Sequence, residues 1–291
     1  MHVIGIDLGG TNIKAAIIHK TDGILEKLSI PTNAEMGKDH VLDRLANTTK
    51  QLLKESNGKI KGVGLGLPGM VSLDQRSVYS APNLSGWDNV KVCEELEKRT
   101  KLPWRVENDA NVAALGSAYY GRGKAFDSFI MITLGTGVGG GIILNRKLYK
   151  GAYGMAAELG HVIIDYHGPI SNSVTRGTIE AYLGQRFLSR YASDMIRQHP
   201  ENPLYKTFQK DFEMLEPLDL TIAANEGNKL AIEILRKSGT RLGYAIVNYV
   251  HMMDIRKFVI SGGVAKAGDW LIKPATKSAI RYLMPPFRKE F

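Results

Sequence analysis

The chain has 291 residues, 44% of them hydrophobic and 23% charged, a composition that suits a folded globular protein of one large or two modest domains. Its longest apolar runs, such as LGYAIVNYVHMM, fall short of the roughly 18 residues that span a bilayer, and Met1 leads into the strand-like HVIGIDLGG without a signal-peptide pattern, so a cytoplasmic setting and no membrane partner are expected. The formal net charge of +9 suits anionic substrates such as nucleotides; the cations are dispersed in short pairs, as in EKRTK and FRKEF, which argues against a nucleic-acid partner.

Residues 2 to 20 read as a hairpin, with HVIGIDLG as strand, GGTN as turn and IKAAIIHK as the returning strand. An amphipathic helix is expected from about Lys38 to Ser56, with Val41, Leu42, Leu45, Leu52 and Leu53 on its apolar stripe. IKGVGLGLPGMV is a glycine-interrupted buried strand ending in a turn, VKVCEELEKRTK a short helix and PWRVEN a short strand. Cys93, alone in the chain, excludes an internal disulfide framework and a multi-cysteine metal site, and reads as a small apolar side chain.

In ENDANVAALGSAYYG, Asp109 stands directly before a run in which Val112, Leu115 and Tyr119 share one helical face, and Gly121 ends it. A strand-to-helix junction with Asn108 and Asp109 at its tip follows, with Asp109 in the N-cap position. NKLAIEILRKSGTRLGYAIVNYVHMMD reads as one long helix or a helix pair. KFVISGG is then a strand ending in Gly262 and Gly263, with a helix start near Ala267.

IDLGGTNIKAAII, from Ile6, is echoed by ITLGTGVGGGIIL, from Ile132. Two strand, glycine-turn, strand units suggest an α/β protein of two related halves, each aiming a glycine turn into a cleft; two unrelated hairpins are the plain alternative. The expected division is a smaller domain at residues 1–107 and a larger one at 108–291. Phosphates need backbone N–H donors at close approach, and glycine turns supply them. DLGGTN and LGTGVGGG both qualify, although neither is a P-loop nor a G-x-G-x-x-G turn. Asp7, before the first turn, is placed to hold magnesium through water. ISGGVAKAG could wrap a nucleoside.

The motifs GIDLGGTNIKAAI, GLGLPGMV, APNLSGW, ENDANVAALGSAYYG, TLGTGVGGGII, AAELGHVIID and ISGGVAKAG, in this order from residue 3 to about residue 285, resemble those of the ROK family of sugar kinases and regulators. The resemblance implies a two-domain actin-like, ribonuclease-H-like α/β fold with an inter-domain cleft. It implies an ATP site at Asp7, Gly9, Gly10, Thr11, Asn12, Lys14, Thr133, Gly135, Thr136, Gly137, Gly262 and Gly263, and a sugar site at Gly69, Asn83, Asn108, Asp109, Glu158, His161 and Glu180. A glucokinase-like hexose kinase making a sugar 6-phosphate from MgATP, as a homodimer, is the leading expectation. An N-acetylhexosamine kinase, for N-acetylmannosamine or N-acetylglucosamine, is the alternative. A sugar-sensing repressor is disfavoured, because the phosphate hairpin starts by residue 5 and leaves no room for an N-terminal helix-turn-helix.

The chemistry of the residues agrees with this resemblance. Phosphorylating a hydroxyl needs a group to accept its proton and a metal to spread the phosphoryl charge. Asp109 is the best base, beside an Asn108 amide that can fix a neighbouring hydroxyl, although simple N-capping would also explain it. Glu158 and His161, three apart, would share a helical face or converge in a turn and take paired sugar hydroxyls.

The chain departs from the family pattern in two places. Many members continue from the GH motif into G-x-x-C-x-C-G-x-x-G-C-L-E, whose three cysteines and preceding histidine bind structural zinc; here GPISNSVTRGTIE places Ser171, Ser173 and Thr178 at the cysteine positions. Hydroxyls are poor zinc ligands, so no structural zinc is expected and the loop should present Glu180 through hydrogen bonds. Members also usually run on beyond a segment like AIRYLMPPFRKEF with another strand and a helix packed on the first domain.

Overall fold

The computed structural model describes residues 2–56, 59–82 and 84–291. Alternation of apolar residues builds the first sheet. β1 (His2–Leu8) and β2 (Asn12–His19) pair antiparallel, with Ile6 opposite Ala15 and Leu8 opposite Ile13, all buried. β3 (Gly23–Pro31) extends the sheet beyond β2, and β4 (Ile60–Leu67) and β7 (Trp104–Asn108) add in parallel beyond β1, giving the order β3-β2-β1-β4-β7. The alternation of β3 is faint because it is a mostly exposed edge strand, with charges at Glu26 and Lys27.

α1 (Lys38–Glu55) buries Val41, Leu42, Leu45 and Leu52 in the first core, as its spacing predicts, while Leu53 is only partly buried. The small hairpin β5 (Met70–Val71) and β6 (Val78–Ser80) and α2 (Val92–Thr100) complete this core, which encloses Trp87 and Trp104. Cys93 lies on the buried face of α2, where burial pushes its thiol up to about 11. The other face of the sheet lines a groove of about 1120 Å³, with Val3, Gly5, Gly64, Gly66 and Val112 along it.

α3 (Asp109–Tyr120) turns the opposite way to its apolar pattern. Asn111, Ala114 and Ala118 are buried, whereas Val112 and Tyr119 are exposed. The small side chains on the buried face permit close packing, and Val112 is spent on the groove.

The second sheet repeats the strand-turn-strand unit: β8 (Phe129–Leu134) and β9 (Val138–Leu144) form the hairpin, β10 (Lys147–Leu148) flanks β9, and β11 (Phe258–Ser261) pairs in parallel with β8. Its core is filled by helices α4 (Glu180–Leu183), α5 (Gln185–Arg197), α6 (Pro203–Phe208), α7 (Pro217–Asn225), α8 (Lys229–Met253) and α9 (Asp269–Tyr282), with α10 (Pro285–Arg288) near the end.

α8 is one unbroken helix. Its N-terminus is capped by Asn228, which accepts from the Leu230 and Ala231 amides at 3.1 Å each. Its two interior glycines serve packing: a Cβ on Gly239 would lie 2.3 Å from the Leu271 carbonyl and one on Gly243 2.5 Å from the Ser278 Cβ, so α9 lies directly against the α8 backbone. α9 opens at Asp269, after a single 3-10 turn over Val264–Ala267, two residues beyond the start the sequence suggests.

Contacts divide the chain into two compact units, Met1–Ala113 with Lys150–Ala156, and Ala114–Tyr149 with Ala157–Phe291.

Candidate active site

In the first unit the glycine turn is held from below. Gly9 donates to Asn12 O at 2.9 Å, while fully buried Thr32 donates its amide to Thr11 O at 2.8 Å and its hydroxyl to Gly9 O at 2.6 Å. The clamp leaves the tip bare: among the described residues, none but its own chain neighbours has an atom within 4 Å of where a Gly10 Cβ would be, and Thr11 and Asn12 are exposed. Asp7 stands opposite Lys14 in the strand register, and both are exposed. The turn therefore offers unshielded backbone donors flanked by one carboxylate and one ammonium, a donor set fit for phosphate and a hydrated magnesium ion.

The junction of β7 and α3 is built more tightly. The N-cap is Asn108, not Asp109: Asn108 Oδ1 accepts from the Ala110 amide at 2.9 Å and the Asn111 amide at 3.2 Å. An asparagine one residue earlier satisfies the same orphan donors, and this places Asp109 in the first helical position. Asn108 Nδ2 donates to the Gly69 carbonyl at 3.1 Å, so Gly69 acts through its backbone by fixing the Asn108 amide. Asp109 accepts from the Ala110 amide at 2.8 Å. Asp109 keeps an exposed surface, yet crowding of its carboxyl by protein atoms desolvates it and raises it above the ordinary aspartate range, and the nearby Asp7 charge adds to the effect. Asn83 lies outside the described residues.

Two residues that sequence reasoning missed support this junction. Glu107, 5% exposed, receives Lys150 Nζ at 2.8 Å, Gln75 Nε2 at 2.8 Å, the Asn108 amide at 3.0 Å and Asn111 Nδ2 at 3.1 Å. Burial alone would push its carboxyl up, but these donors outweigh it and hold Glu107 below the usual glutamate range. Strand alternation puts Trp104 and Val106 inward and Glu107 outward, which reads as solvent; its cation is the distant Lys150, inside the segment that rejoins this unit, and Gln75 also reaches it from far along the chain. Nothing local in the sequence signals that pairing.

In the second unit the turn after β8 runs through Gly135, Thr136 and Gly137, with Gly135 donating to Gly137 O at 3.0 Å and Thr133 paired with Gly139. Gly262 follows β11 with φ at 99°, and among the described residues none but the chain neighbours has an atom within 4 Å of a Cβ position on either Gly135 or Gly263. Gly135 and Gly263 thus present open backbone, whereas Gly137 is packed against Glu180 and Gly262 against Leu134 O. Glu180 opens α4 and its Oε2 accepts from the Val138 amide at 3.1 Å.

Glu158 and His161 meet through a single 3-10 turn over Leu159–His161, with Glu158 Oε2 at 3.9 Å from His161 Nε2 and the two side chains 49% and 44% exposed. The residues at the family's cysteine positions form a hydrogen-bonded chain: Ser171 Oγ meets Ser173 Oγ at 2.8 Å, and Ser173 Oγ meets His161 Nδ1 at 3.3 Å. Thr178 stands apart, its buried hydroxyl accepting from the Ala181 amide at 3.3 Å. Tyr182 donates to Asp165 at 2.6 Å and pins the loop to α4. Among the described residues no group of three or more acidic, histidine or cysteine side chains could hold a metal ion.

Residues 3–291 match the ROK family. The chain belongs to that family. Among ROK relatives it is 34% identical to the glucokinase of Thermotoga maritima, over 99% of this chain and 90% of that protein, and 36% identical to the glucokinase of Halalkalibacterium halodurans, over 97% and 86%. Its fold matches the crystal structure of a ROK family glucokinase from Streptomyces griseus in complex with glucose and AMPPNP with a TM-score of 0.82 and 31% identity, over 98% of this chain and 90% of that one. The expected two-domain actin-like α/β architecture is therefore that of this ROK protein.

Proposed function

We propose that this ROK protein is an ATP-dependent hexose kinase of the glucokinase type, transferring the γ-phosphoryl group of ATP to a sugar hydroxyl to give the sugar 6-phosphate. The observation that carries the mechanism is Asp109, solvent-accessible, raised in pKa by desolvation of its carboxyl and fixed on a capped helix start. The glucokinases among its relatives support the substrate class.

In this reading Asp109 accepts the proton of the attacking hydroxyl, and its raised pKa makes it a stronger base than an ordinary aspartate. Asn108 holds that hydroxyl in line. Glu158, His161 and Glu180 take the remaining sugar hydroxyls. Gly9, Gly10, Thr11, Asn12 and Lys14 with Thr133, Gly135, Thr136 and Gly137 hold the phosphates, while Gly262 and Gly263 back the adenosine. Asp7 would hold magnesium through water, and the ion would neutralise charge on the β- and γ-phosphates. The Ser171, Ser173 and His161 chain, in place of a zinc site, steadies the loop before Glu180. We divide the functional halves at 107/108, assign a homodimer on the family resemblance, and keep the cytoplasmic setting as a reading of the sequence pattern.

The test is ADP release with glucose, mannose, fructose, allose, N-acetylglucosamine and N-acetylmannosamine. Glucose is expected to give the highest kcat/KM. A higher value with an N-acetyl sugar would move the assignment to the hexosamine kinases, and no release with any of the six would overturn the kinase reading.

A further inference from the structure

Glu180 is in contact with the second glycine turn through more than its chain position. Oε2 accepts from the Val138 amide at 3.1 Å, and a Cβ on Gly137 would lie 2.3 Å from that same oxygen, so the carboxylate fits only because residue 137 has no side chain. The neighbouring backbone also props the turn, because Gln185 donates to Gly135 O at 2.9 Å. A Cβ on Gly184 would sit 3.1 Å from Thr136 O. The segment from Glu180 to Gln185 therefore touches all three turn residues or their immediate neighbour. Among the described residues Oε1 makes no hydrogen bond, and the side chain is half-buried.

Capping a hairpin amide accounts for Oε2 alone, and water could do it at a half-open turn. A carboxylate is planar and rigid, so whatever fixes Oε1 also fixes Oε2. We infer that Glu180 is a positioning residue for the nucleotide as well as a sugar contact: the hydroxyl docked on Oε1 orders the carboxylate, and Oε2 passes that order through Val138 to the turn that cradles phosphate. The inference rests on the sugar-kinase reading above. Whichever substrate binds first bears the ordering of the turn, so the second binds more tightly, and linkage requires the same factor in both directions.

Calorimetry on the full chain measures glucose affinity with and without magnesium AMPPNP, and AMPPNP affinity with and without glucose. The expected coupling is about 5- to 20-fold, equal in both directions. Glu180→Ala is expected to bring the factor to about 1. Glu180→Gln, whose amide oxygen can still accept from Val138, should retain most of it. Gly137→Ala displaces the carboxylate without removing it and should also uncouple; because Gly137 also lines the phosphate turn, it decides the matter, if Glu180→Ala no longer binds glucose, by whether the coupling factor falls in a variant that still binds both AMPPNP and glucose. Glucose that is bound and phosphorylated with a wild-type factor of 1, or a wild-type factor retained in Glu180→Ala or Gly137→Ala, overturns the inference and leaves the kinase reading standing. Failure of every sugar to release ADP overturns the kinase reading itself.

Discussion

The Asp109 junction and the Glu158–His161 turn differ in how deeply their polar groups are set: Glu107 beneath the junction is 5% exposed, whereas Glu158 and His161 are 49% and 44% exposed. At the junction, both Glu107 oxygens, both ends of the Asn108 amide and one Asp109 oxygen already have partners. At the turn, His161 stands 3.3 Å from Ser173 and 3.9 Å from Glu158, and both the His161 and Glu158 side chains are half in water. In the proposed reading, preorganisation is concentrated at the junction, where charge and proton would move, and the more exposed turn faces the sugar.

The largest expected effect breaks the rigid side of this contrast. Lys150→Met leaves the Glu107 carboxylate buried without its cation, which should cost about 3–5 kcal/mol of stability in denaturant unfolding; adding Glu107→Gln should restore most of it. Full stability in the single variant would show that the ion pair is not holding the junction.

Asp109→Asn keeps the size and the helix start but removes the base. Turnover should fall ~100-fold or more, with sugar affinity by calorimetry little changed. Near-normal turnover would take the catalytic role from Asp109. Asp7→Ala comes next: magnesium-dependent use of ATP should weaken by roughly tenfold, as for loss of one metal-holding carboxylate, while sugar binding without nucleotide stays within about twofold. Equal losses of both would mean that Asp7 supports the fold instead.

Protonation sharpens the same comparison, because the two junction carboxylates have opposite signs. Glu107 is held low in the folded chain, so its stabilisation is complete above the ordinary glutamate range and is lost as pH falls through and below it. Asp109 is held high, so its protonated form favours the fold at acid pH and that contribution is lost as pH rises through its raised value. Activity runs the other way, since the base must be ionised. The acid limb of kcat/KM should lie above the ordinary aspartate range and move to lower pH in Asp7→Asn, where one neighbouring negative charge is gone.

The smallest effect concerns the softer side. Glucose should slow amide exchange in residues 165 to 180 and leave β7 and α3 nearly unchanged, and the purified protein should carry no stoichiometric zinc. Unchanged exchange in the loop would mean that it is already as fixed as the junction, and one zinc per chain would restore the metal site.

Much of this was legible from pattern alone. The two hairpins, α1, α2, β7 and α8 follow from periodicity, and the glycine turns and the ENDAN junction stand out as local motifs. What escaped has physical reasons. β3 is an edge strand with little to bury. The stripe of α3 misled because Ala114 and Ala118 pack more closely than Val112 and Tyr119 could. Asp109 and Asn108 are adjacent and both good caps, so composition could not choose between them. Glu107, Lys150 and Thr32 act through partners far along the chain, which no local spacing encodes.

Cys93 has a practical consequence. It is the one thiol in the chain, lies buried and has its pKa pushed up to about 11, so almost none of it is thiolate at neutral pH. A cysteine introduced at Tyr153 or Val174, which are 78% and 85% exposed, would carry nearly all the reactivity towards a maleimide. The unaltered background is thus ready for fluorescent or spin probes at single chosen positions, with no need to remove the native residue first.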